Sequence, residues 1–498
     1  MKKLLLLAAL LLAVLTAGAQ TQVLPRSSCA DEGVDPVAVS RWVDSMMAIP
    51  ETEVHHLMVL RHDKVIAECH PAPFRAEYTH TLYSCSKTVT ALAIGCLIDD
   101  NRLRLDDRVA ALLPEYMPDT ISDKLAQVTV RHLLTMATGI TPELAIYARQ
   151  DDWLTHYYSG EVDELGRFLY DSMCTYTLGV IVEKLSGMSL LDFVKQRFFN
   201  PMGITVTDWE LSPGGHNTAG FGLRLQAESM AKIGLLILHG GQWNGRQLVS
   251  TEWIDQMTTA HINYKNPSPT PSDTNQGYCY QMWRCLIPGA FRADGAYGQF
   301  IIISPEHDMV VVVNGYSART AAELRLVREV LVPGVTDAAP DKRIRRAEQE
   351  MTRRLAAQSL PLPAGTATSR RSADVLDRTV AFAENGRGYR DVLATQVDKN
   401  TIRLTVTNSR GEQLSYNLTA RRWSDPQPAV VPPYHNGAAP ADRPRIDGLP
   451  QGGGDFLVSG SYAWRPDGTL HCRLQWLNWI TAQDITITSG VATLAETP

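Results

Sequence analysis

Two serine–lysine pairs in the chain have a spacing that suits joint chemistry. Ser84 is followed three residues later by Lys87, and Ser229 is followed by Lys232. On a helix, side chains three residues apart lie on one face, so the amine can take the hydroxyl proton or keep a neighbouring base ionised. Each pair is therefore a candidate for a serine nucleophile with its activating base.

The local sequence separates the two pairs. Ser229 falls in the polar first turn of an amphipathic helix, where it needs no chemical explanation. Ser84 instead follows an extended segment and opens an apolar helix that runs to Ile98. A helix amino terminus offers backbone N–H groups and a positive dipole end to a developing oxyanion. We therefore favour Ser84 as a nucleophile over the alternative, a helix-capping serine beside a solvated lysine.

The sequence around Ser84 resembles the serine β-lactamase and penicillin-binding protein superfamily, most of all its class C branch with the related esterases and D-aminopeptidases. The segments that carry the resemblance, in chain order, are Tyr83–Glu115, Val128–Gly139, Phe168–Gly187, Gly222–Trp253 and Gly295–Asn314. Together they cover about residues 30 to 335. The resemblance implies that Ser84 is the catalytic nucleophile and that Lys87 manages its proton.

The second motif of this family is Tyr-x-Asn, and the chain has Tyr170-Asp171-Ser172 at the corresponding place. By resemblance, Tyr170 would have a pKa lowered by nearby Lys87 and would shuttle a proton between Ser84 and the leaving group. Ser172 departs from the usual asparagine. Its hydroxyl retains one hydrogen-bonding function but has a shorter reach than an amide, so we expect a supporting role.

The third motif of the family is Lys-Thr-Gly or His-x-Gly, and here Ala296 stands where the cationic residue is usual. Without that cation we expect weak affinity for β-lactams and free peptide carboxylates, which favours an ester or another acyl substrate. By resemblance, the backbone N–H groups of Ser84 and Gln299 would form the oxyanion hole. Gly298 would let this strand approach the acyl group closely.

The elements that must position these residues can be read from the hydrophobic pattern. Short apolar runs at residues 56–69 and 300–314 predict two β-hairpins. Between the hairpins the apolar residues follow a helical period. The predicted helices are Thr88–Asp99, Thr129–Met136, Thr175–Leu185, Leu190–Phe199, Ala227–His239 and Thr251–Met257. This order predicts an α+β fold, an antiparallel sheet flanked by helices with a helical subdomain.

The amino-terminal pattern, the family resemblance and the change of composition after about residue 335 together divide the chain into four parts. We expect a signal peptide at residues 1–19, a class C β-lactamase-like hydrolase domain at 20–335, a charged helix and linker at 336–371, and an all-β module at 372–498. In the module, Trp464, Trp476 and Trp479 lie close in sequence. We favour core packing for them over a binding surface.

The charge and the cysteine content argue against a nucleic-acid-binding protein and a zinc site, and the amino terminus indicates where the protein acts. Lys plus Arg is 47 against Asp plus Glu 53, giving a net charge of −6 and no basic excess for nucleic acid. The eight cysteines are scattered, and no Cys or His spacing resembles a zinc site. Two lysines, an apolar run at Leu4–Leu15 and small residues up to Ala19 predict export to the periplasm or outside the cell, with an uncleaved membrane anchor as the alternative.

These observations predict an exported serine hydrolase that transfers an acyl group to water through Ser84. The substrate would be a small molecule or peptide with an ester, amide or D-peptide bond. We expect no metal and no cofactor, since searches for phosphate-binding, dinucleotide and zinc-protease motifs find none. The alternative is a non-catalytic sensor or binding module that retains a penicillin-binding-type pocket, a hypothesis supported by the departures at Ser172 and Ala296.

Overall fold

The computed structural model describes residues 23–205, 207–263, 272–336, 339, 341–429 and 456–497. The expected signal peptide lies outside these residues. Within the described ranges, no helix combines the length and apolar character that crossing a membrane requires.

The strands and helices of the described chain alternate as the hydrophobic pattern predicts. The strands are β1 (Thr52–Arg61), β2 (Lys64–Cys69), β3 (His80–Thr81), β4 (Thr207–Trp209), β5 (Leu223–Leu225), β6 (Gln242–Trp243), β7 (Arg246–Gln247), β8 (Trp283–Arg284), β9 (Phe291–Gly295), β10 (Gln299–Ser304), β11 (Met309–Ser317), β12 (Thr379–Ala381), β13 (Tyr389–Asp398), β14 (Thr401–Asn408), β15 (Gln413–Ala420), β16 (Gln427–Ala429), β17 (Phe456–Trp464), β18 (Leu470–Trp476), β19 (Ala482–Ile487) and β20 (Ala492–Thr497). The α-helices are α1 (Pro36–Met47), α2 (Ser86–Asp99), α3 (Val109–Leu112), α4 (Val130–Leu134), α5 (Trp153–Tyr158), α6 (Ser172–Ser186), α7 (Leu190–Val194), α8 (Ala227–Leu238), α9 (Thr251–Thr258), α10 (Thr320–Leu326) and α11 (Lys342–Ala356).

A six-stranded antiparallel sheet forms the centre of the hydrolase part, in the order β2-β1-β11-β10-β9-β8. Both predicted hairpins are confirmed as β1–β2 and β10–β11. The strand β11 is buried on both faces because helices cover the sheet on two sides. Val310 and Val312 join the core beneath α2 and α8, whereas Val311 and Val313 join the core formed with α1 and α11. The continuous valine run of β11 follows from this double burial.

The helical subdomain between β3 and β8 is built around α2. Its residues from Ser86 to Leu97 are all buried, so the helix is surrounded by protein on every side. Gly95 makes this packing possible, because a Cβ there would lie 2.2 Å from the Trp253 ring of α9. The six predicted helices are confirmed as α2, α4, α6, α7, α8 and α9. The predicted helix Leu190–Phe199 is α-helical only to Val194 and continues as a π-helix.

The carboxy-terminal part is an all-β module, as predicted. Eight of its strands lie in the order β12-β13-β14-β15-β17-β18-β19-β20, and β16 pairs with β17. A bridge between Phe382 and Ala492 brings the two ends of this sheet together, so it is nearly closed. All three clustered tryptophans are buried, which confirms core packing.

The module packs closely on the hydrolase part. Phe74 and Tyr78 of the hydrolase part share an apolar cluster with Leu360, Trp423 and Leu477. The linker runs along both parts: Leu360 donates its N–H to the Ala72 carbonyl, and Thr366 forms a bridge with Trp464. The exact domain boundaries remain a prediction. The contacts show that the linker and the module cover an apolar surface of the hydrolase part.

We expect a chain that ends at residue 358 to be less stable than the full chain. Truncation would expose Phe74, Tyr78 and Tyr83, and exposing a buried large apolar side chain costs about 1.5 to 3 kcal/mol. Thermal unfolding and light scattering should show a lower melting temperature and aggregation. A truncated chain that stays monomeric with an unchanged melting temperature would show instead that the two parts fold independently.

Candidate active site

Ser84 lies in a 3₁₀ turn, Tyr83–Cys85, immediately before α2. It is the one residue between His80 and Leu97 that is not fully buried. The preceding Tyr83 has a φ of 45°, in the left-handed region that a non-glycine residue rarely occupies. The sequence thus places a single accessible hydroxyl at the amino terminus of a buried helix.

Lys87 places its amine beside this hydroxyl. The Lys87 side chain is buried, and its Nζ lies 3.0 Å from Ser84 Oγ, 2.8 Å from Ser172 Oγ and 2.7 Å from the Gly220 carbonyl oxygen. An ammonium has three N–H donors, so these three oxygens match its full capacity. The amine is therefore fixed in position from three directions.

The burial of Lys87 changes its acidity. Loss of hydration lowers the pKa of the amine to about 7, although the nearby Asp171 carboxyl acts to raise it. At neutral pH a large fraction of Lys87 is consequently uncharged. An uncharged amine has a lone pair and can accept the proton of the Ser84 hydroxyl.

The Lys87 amine lies over the ring of Tyr170, but the expectation that the pKa of Tyr170 is lowered is wrong. Lys87 Nζ lies 5.1 Å from the ring centroid of Tyr170. Although 37% of the Tyr170 side chain is exposed, loss of hydration at the hydroxyl raises its pKa, and a hydrogen bond with Ser84 opposes this only in part. The amine lies over the ring, and burial favours its own uncharged form, so it does not stabilise a phenolate. Tyr170 therefore stays protonated at neutral pH.

Ser172 reaches the site although its side chain is short. It begins α6, and its hydroxyl accepts a hydrogen bond from Lys87. The adjoining Gly220 permits this approach, because a Cβ at Gly220 would lie 3.1 Å from Ser172 Cβ and 3.4 Å from Lys87 Nζ. A hydroxyl thus stands where the family motif has an asparagine amide, and it keeps a hydrogen bond with Lys87.

Asp171, Cys85 and Gly220 are site residues that the sequence analysis missed. Asp171 caps α6 by accepting the Met173 N–H, and it is the charged group that acts most strongly on Lys87. Burial raises the pKa of its carboxyl. The sequence offered a signal for Asp171, a capping-type residue directly before a predicted helix. It offered none for Gly220, which contributes a backbone carbonyl from a distant loop.

The strand β10, which begins at Gln299, lies next to the turn that carries Ser84. The Cys85 thiol donates to the Gln299 carbonyl oxygen at 3.1 Å, which joins the residue after Ser84 to the first residue of β10. The Gln299 side chain is buried and donates from Nε2 to the Gly315 carbonyl at 2.6 Å, so it braces the sheet. Ser84 and Gln299 are thus brought together, and their role as oxyanion donors remains a prediction.

The backbone conformation of Gly298 and its close neighbour both require a glycine, and the expected approach to an acyl group stays a prediction. Its φ is 89°, and a Cβ there would lie 2.4 Å from an oxygen of the buried Glu323 carboxyl. The absence of a side chain at Gly298 therefore leaves room for the Glu323 carboxyl. Ala296 is exposed at the tip of the same turn.

The second serine–lysine pair lies elsewhere. Ser229 and Lys232 are both buried in α8, which packs on β10 and β11. The sheet covers this helix, so the second pair lies within the core of the hydrolase part. Across the described ranges, no group of three or more His, Cys, Asp or Glu side chains is arranged to hold a metal ion.

A family model described as Beta-lactamase matches residues 39–332. The chain belongs to the β-lactamase family. The match contains Ser84, Lys87, Tyr170, Ser172 and Gln299, and it confirms both the resemblance to the serine β-lactamase and penicillin-binding protein superfamily and the assignment as a serine hydrolase.

Similar proteins come from several branches of this family. A 6-aminohexanoate-dimer hydrolase of Paenarthrobacter ureafaciens is 24% identical over 305 residues, which is 55% of this chain and 75% of that protein. A lovastatin esterase of Penicillium rubens is 26% identical over 158 residues, 25% of this chain and 38% of that protein. The crystal structure of a putative β-lactamase from Bacteroides dorei covers 60% of this chain and 99% of its own, with 20% identity and a TM-score of 0.50.

The pKa of Lys87 predicts the pH dependence of the reaction. With the uncharged amine as the base, we expect kcat/KM for a neutral ester to rise as the pH increases through about 7 and then level off. The pKa of Tyr170 is raised, so it should not cause a fall at mildly alkaline pH. Initial rates between pH 5 and pH 9 would check this.

Two variants provide controls for that profile. Lys87→Arg should lose activity at every pH, since a guanidinium stays protonated, whereas Lys232→Arg should keep the wild-type profile. A wild-type rate that is flat from pH 5 to pH 9 would contradict the role of Lys87 as a base.

Proposed function

We propose that the protein is an exported serine hydrolase that cleaves a neutral ester or amide through an acyl-enzyme on Ser84. The observation that carries the proposal is the contact of 3.0 Å between Ser84 Oγ and a buried amine whose pKa is about 7. This pair supplies a nucleophile and its base without a third group.

Acylation begins when Ser84 gives its proton to the uncharged amine of Lys87 and Oγ bonds to the substrate carbonyl carbon. The carbonyl electrons move to oxygen, where the backbone N–H groups of Ser84 and Gln299 would stabilise the negative charge. The tetrahedral intermediate then collapses, and the bond to the leaving group breaks. Tyr170 donates its proton to that group and regains one from the Lys87 ammonium, so the protons balance.

Deacylation uses the same residues in reverse. The uncharged Lys87 takes a proton from a water molecule, and the hydroxide attacks the acyl carbon. The second tetrahedral intermediate collapses, Ser84 Oγ leaves, and it receives a proton by way of Tyr170 or directly from Lys87. The products are a free acid and the original hydroxyl.

The substrate we favour is neutral near the scissile bond. Ala296 offers no cation to a substrate carboxylate, and aromatic rings surround Tyr170. Tyr170 stacks on Trp283 with ring centroids 5.6 Å apart, and Phe168 contacts the same ring at 6.0 Å. A partly exposed aromatic wall favours an apolar group on the substrate. The relatives named as a 6-aminohexanoate-dimer hydrolase and a lovastatin esterase support a substrate other than a β-lactam.

Export is part of the proposal and is supported by the sequence at residues 1–19. The periplasm or the medium outside the cell would then be the site of action. The acidic net charge and the enclosed amine are consistent with a small-molecule or peptide acyl substrate.

Ser84→Ala tests the proposal directly. Turnover of a p-nitrophenyl ester should fall on the order of 10³-fold or more, since nucleophile and base act as a unit. A fluorophosphonate label should appear on the wild type and be absent from the variant. Ser229→Ala is the matched control and should keep both turnover and label. A non-catalytic binding module is indicated if neither wild type nor control is labelled.

Ala296 tests the choice of substrate. Ala296→Lys should raise activity on a carboxylate-bearing cephalosporin more than on a neutral short-chain ester, because a charge-assisted hydrogen bond contributes about 1.5 to 3 kcal/mol. That range corresponds to roughly 10 to 150-fold in affinity. The ratio of kcat/KM values for the two substrates is the measurement. A wild type that already prefers the cephalosporin strongly would contradict the preference for neutral substrates.

A further inference from the structure

The loop between β18 and β19 of the β module lies against the segment that leads to Ser84. Thr81 donates its N–H to the Asn478 carbonyl oxygen at 3.1 Å, and Asn478 Nδ2 donates to the Thr79 carbonyl oxygen at 3.2 Å. Asn478 Oδ1 accepts the Leu457 N–H at 2.9 Å, which anchors the loop to the module. The module is thus hydrogen-bonded to the chain three to five residues before the nucleophile.

A contact between aromatic rings extends this junction to Tyr83, the residue before Ser84. The Trp479 ring of the module lies 5.9 Å from the Tyr83 ring, and Tyr83 in turn meets the Tyr297 ring edge to face at 5.5 Å. Trp479 is only 3% exposed, so it fills space and does not face the substrate cleft. Tyr297 also packs on Tyr316 of β11.

Both tyrosines hold a backbone conformation that is unusual for their residue type. Tyr83 has a φ of 45° and Tyr297 a φ of 63°. Such conformations persist only where the surrounding structure holds them in place. Tyr83 directly precedes Ser84, and Tyr297 lies two residues before Gln299. The backbone N–H groups of Ser84 and Gln299 therefore take their directions from two strained turns whose side chains pack on each other.

We propose that Trp479 is a positioning residue, through which the β module fixes the two backbone N–H donors of the oxyanion hole. The inference rests on the proposed hydrolase function. Trp479 acts through Tyr83, and Tyr83 transmits the constraint to Tyr297. The hydrogen bond from the Cys85 thiol to the Gln299 carbonyl completes the connection between the two turns.

This arrangement predicts an effect on the transition state and not on ground-state binding. An oxyanion exists only after Ser84 has attacked, so misdirected donors reduce kcat and leave KM nearly unchanged. A displacement of about 1 Å in such a site can reduce the rate by roughly 100-fold.

The experiment compares Trp479→Ala, Trp479→Phe and Trp464→Ala in the full chain. Trp464 is a buried tryptophan at the carboxyl end of β17, so its removal controls for general weakening of the module. Turnover of p-nitrophenyl acetate is measured below the melting temperature of each variant. Hydrogen–deuterium exchange is followed in peptides that cover residues 79–86 and 295–300.

We expect Trp479→Ala to lower kcat by roughly 10 to 100-fold with little change in KM, and Trp479→Phe to restore most of the rate. Exchange in both peptides should be faster in Trp479→Ala and unchanged in Trp464→Ala. Unchanged kcat in Trp479→Ala, or an equal loss in Trp464→Ala, would overturn the proposal. If the wild type has no turnover that depends on Ser84, the proposed function fails. Hydrogen–deuterium exchange then tests the positioning role by itself, and unchanged exchange of the two peptides in Trp479→Ala would overturn that role.

Discussion

The active site depends on keeping one amine out of water. A buried ammonium is costly unless oxygens satisfy its donors, and a buried neutral amine is a useful base at neutral pH. Lys87 meets both conditions, with three oxygens around Nζ and a pKa of about 7. Lys87 loses its hydration because it lies in the first turn of α2, a helix that is buried from Ser86 to Leu97. The Gly220 carbonyl and the Ser172 hydroxyl accept two hydrogen bonds from the Lys87 amine.

Much of the fold and the main site residues could be predicted because local patterns encode them. The alternation of β1 and β2 and the helical period of α6 need no distant partner to be recognised. The structure brings Ser84, Lys87, Tyr170 and Ser172 together, as the motifs indicate. Gly220 escaped prediction because it contributes only a carbonyl oxygen, and a backbone group leaves no trace in the residue type.

The pKa of Tyr170 shows a second limit of sequence reasoning. A lysine near a tyrosine predicts a lowered pKa only if the amine is charged and lies beside the oxygen. Here the amine lies over the ring, and the burial that makes Lys87 a base also removes water from the Tyr170 hydroxyl. The balance between desolvation and charge depends on three-dimensional placement. In the proposed mechanism the two residues therefore divide the work, with Lys87 as the base and Tyr170 as the proton donor.

The β module and the hydrolase part are in contact, although the composition of the chain changes between them. The linker sequence predicts a break between two parts, yet the tryptophans beyond it serve both the module core and the junction. Trp479 belongs to the same apolar cluster as Tyr83, the residue before the nucleophile. Since one cluster spans both parts, unfolding of the module would uncover Tyr83. The positioning role proposed for Trp479 therefore couples the stability of the module to the geometry of the active site.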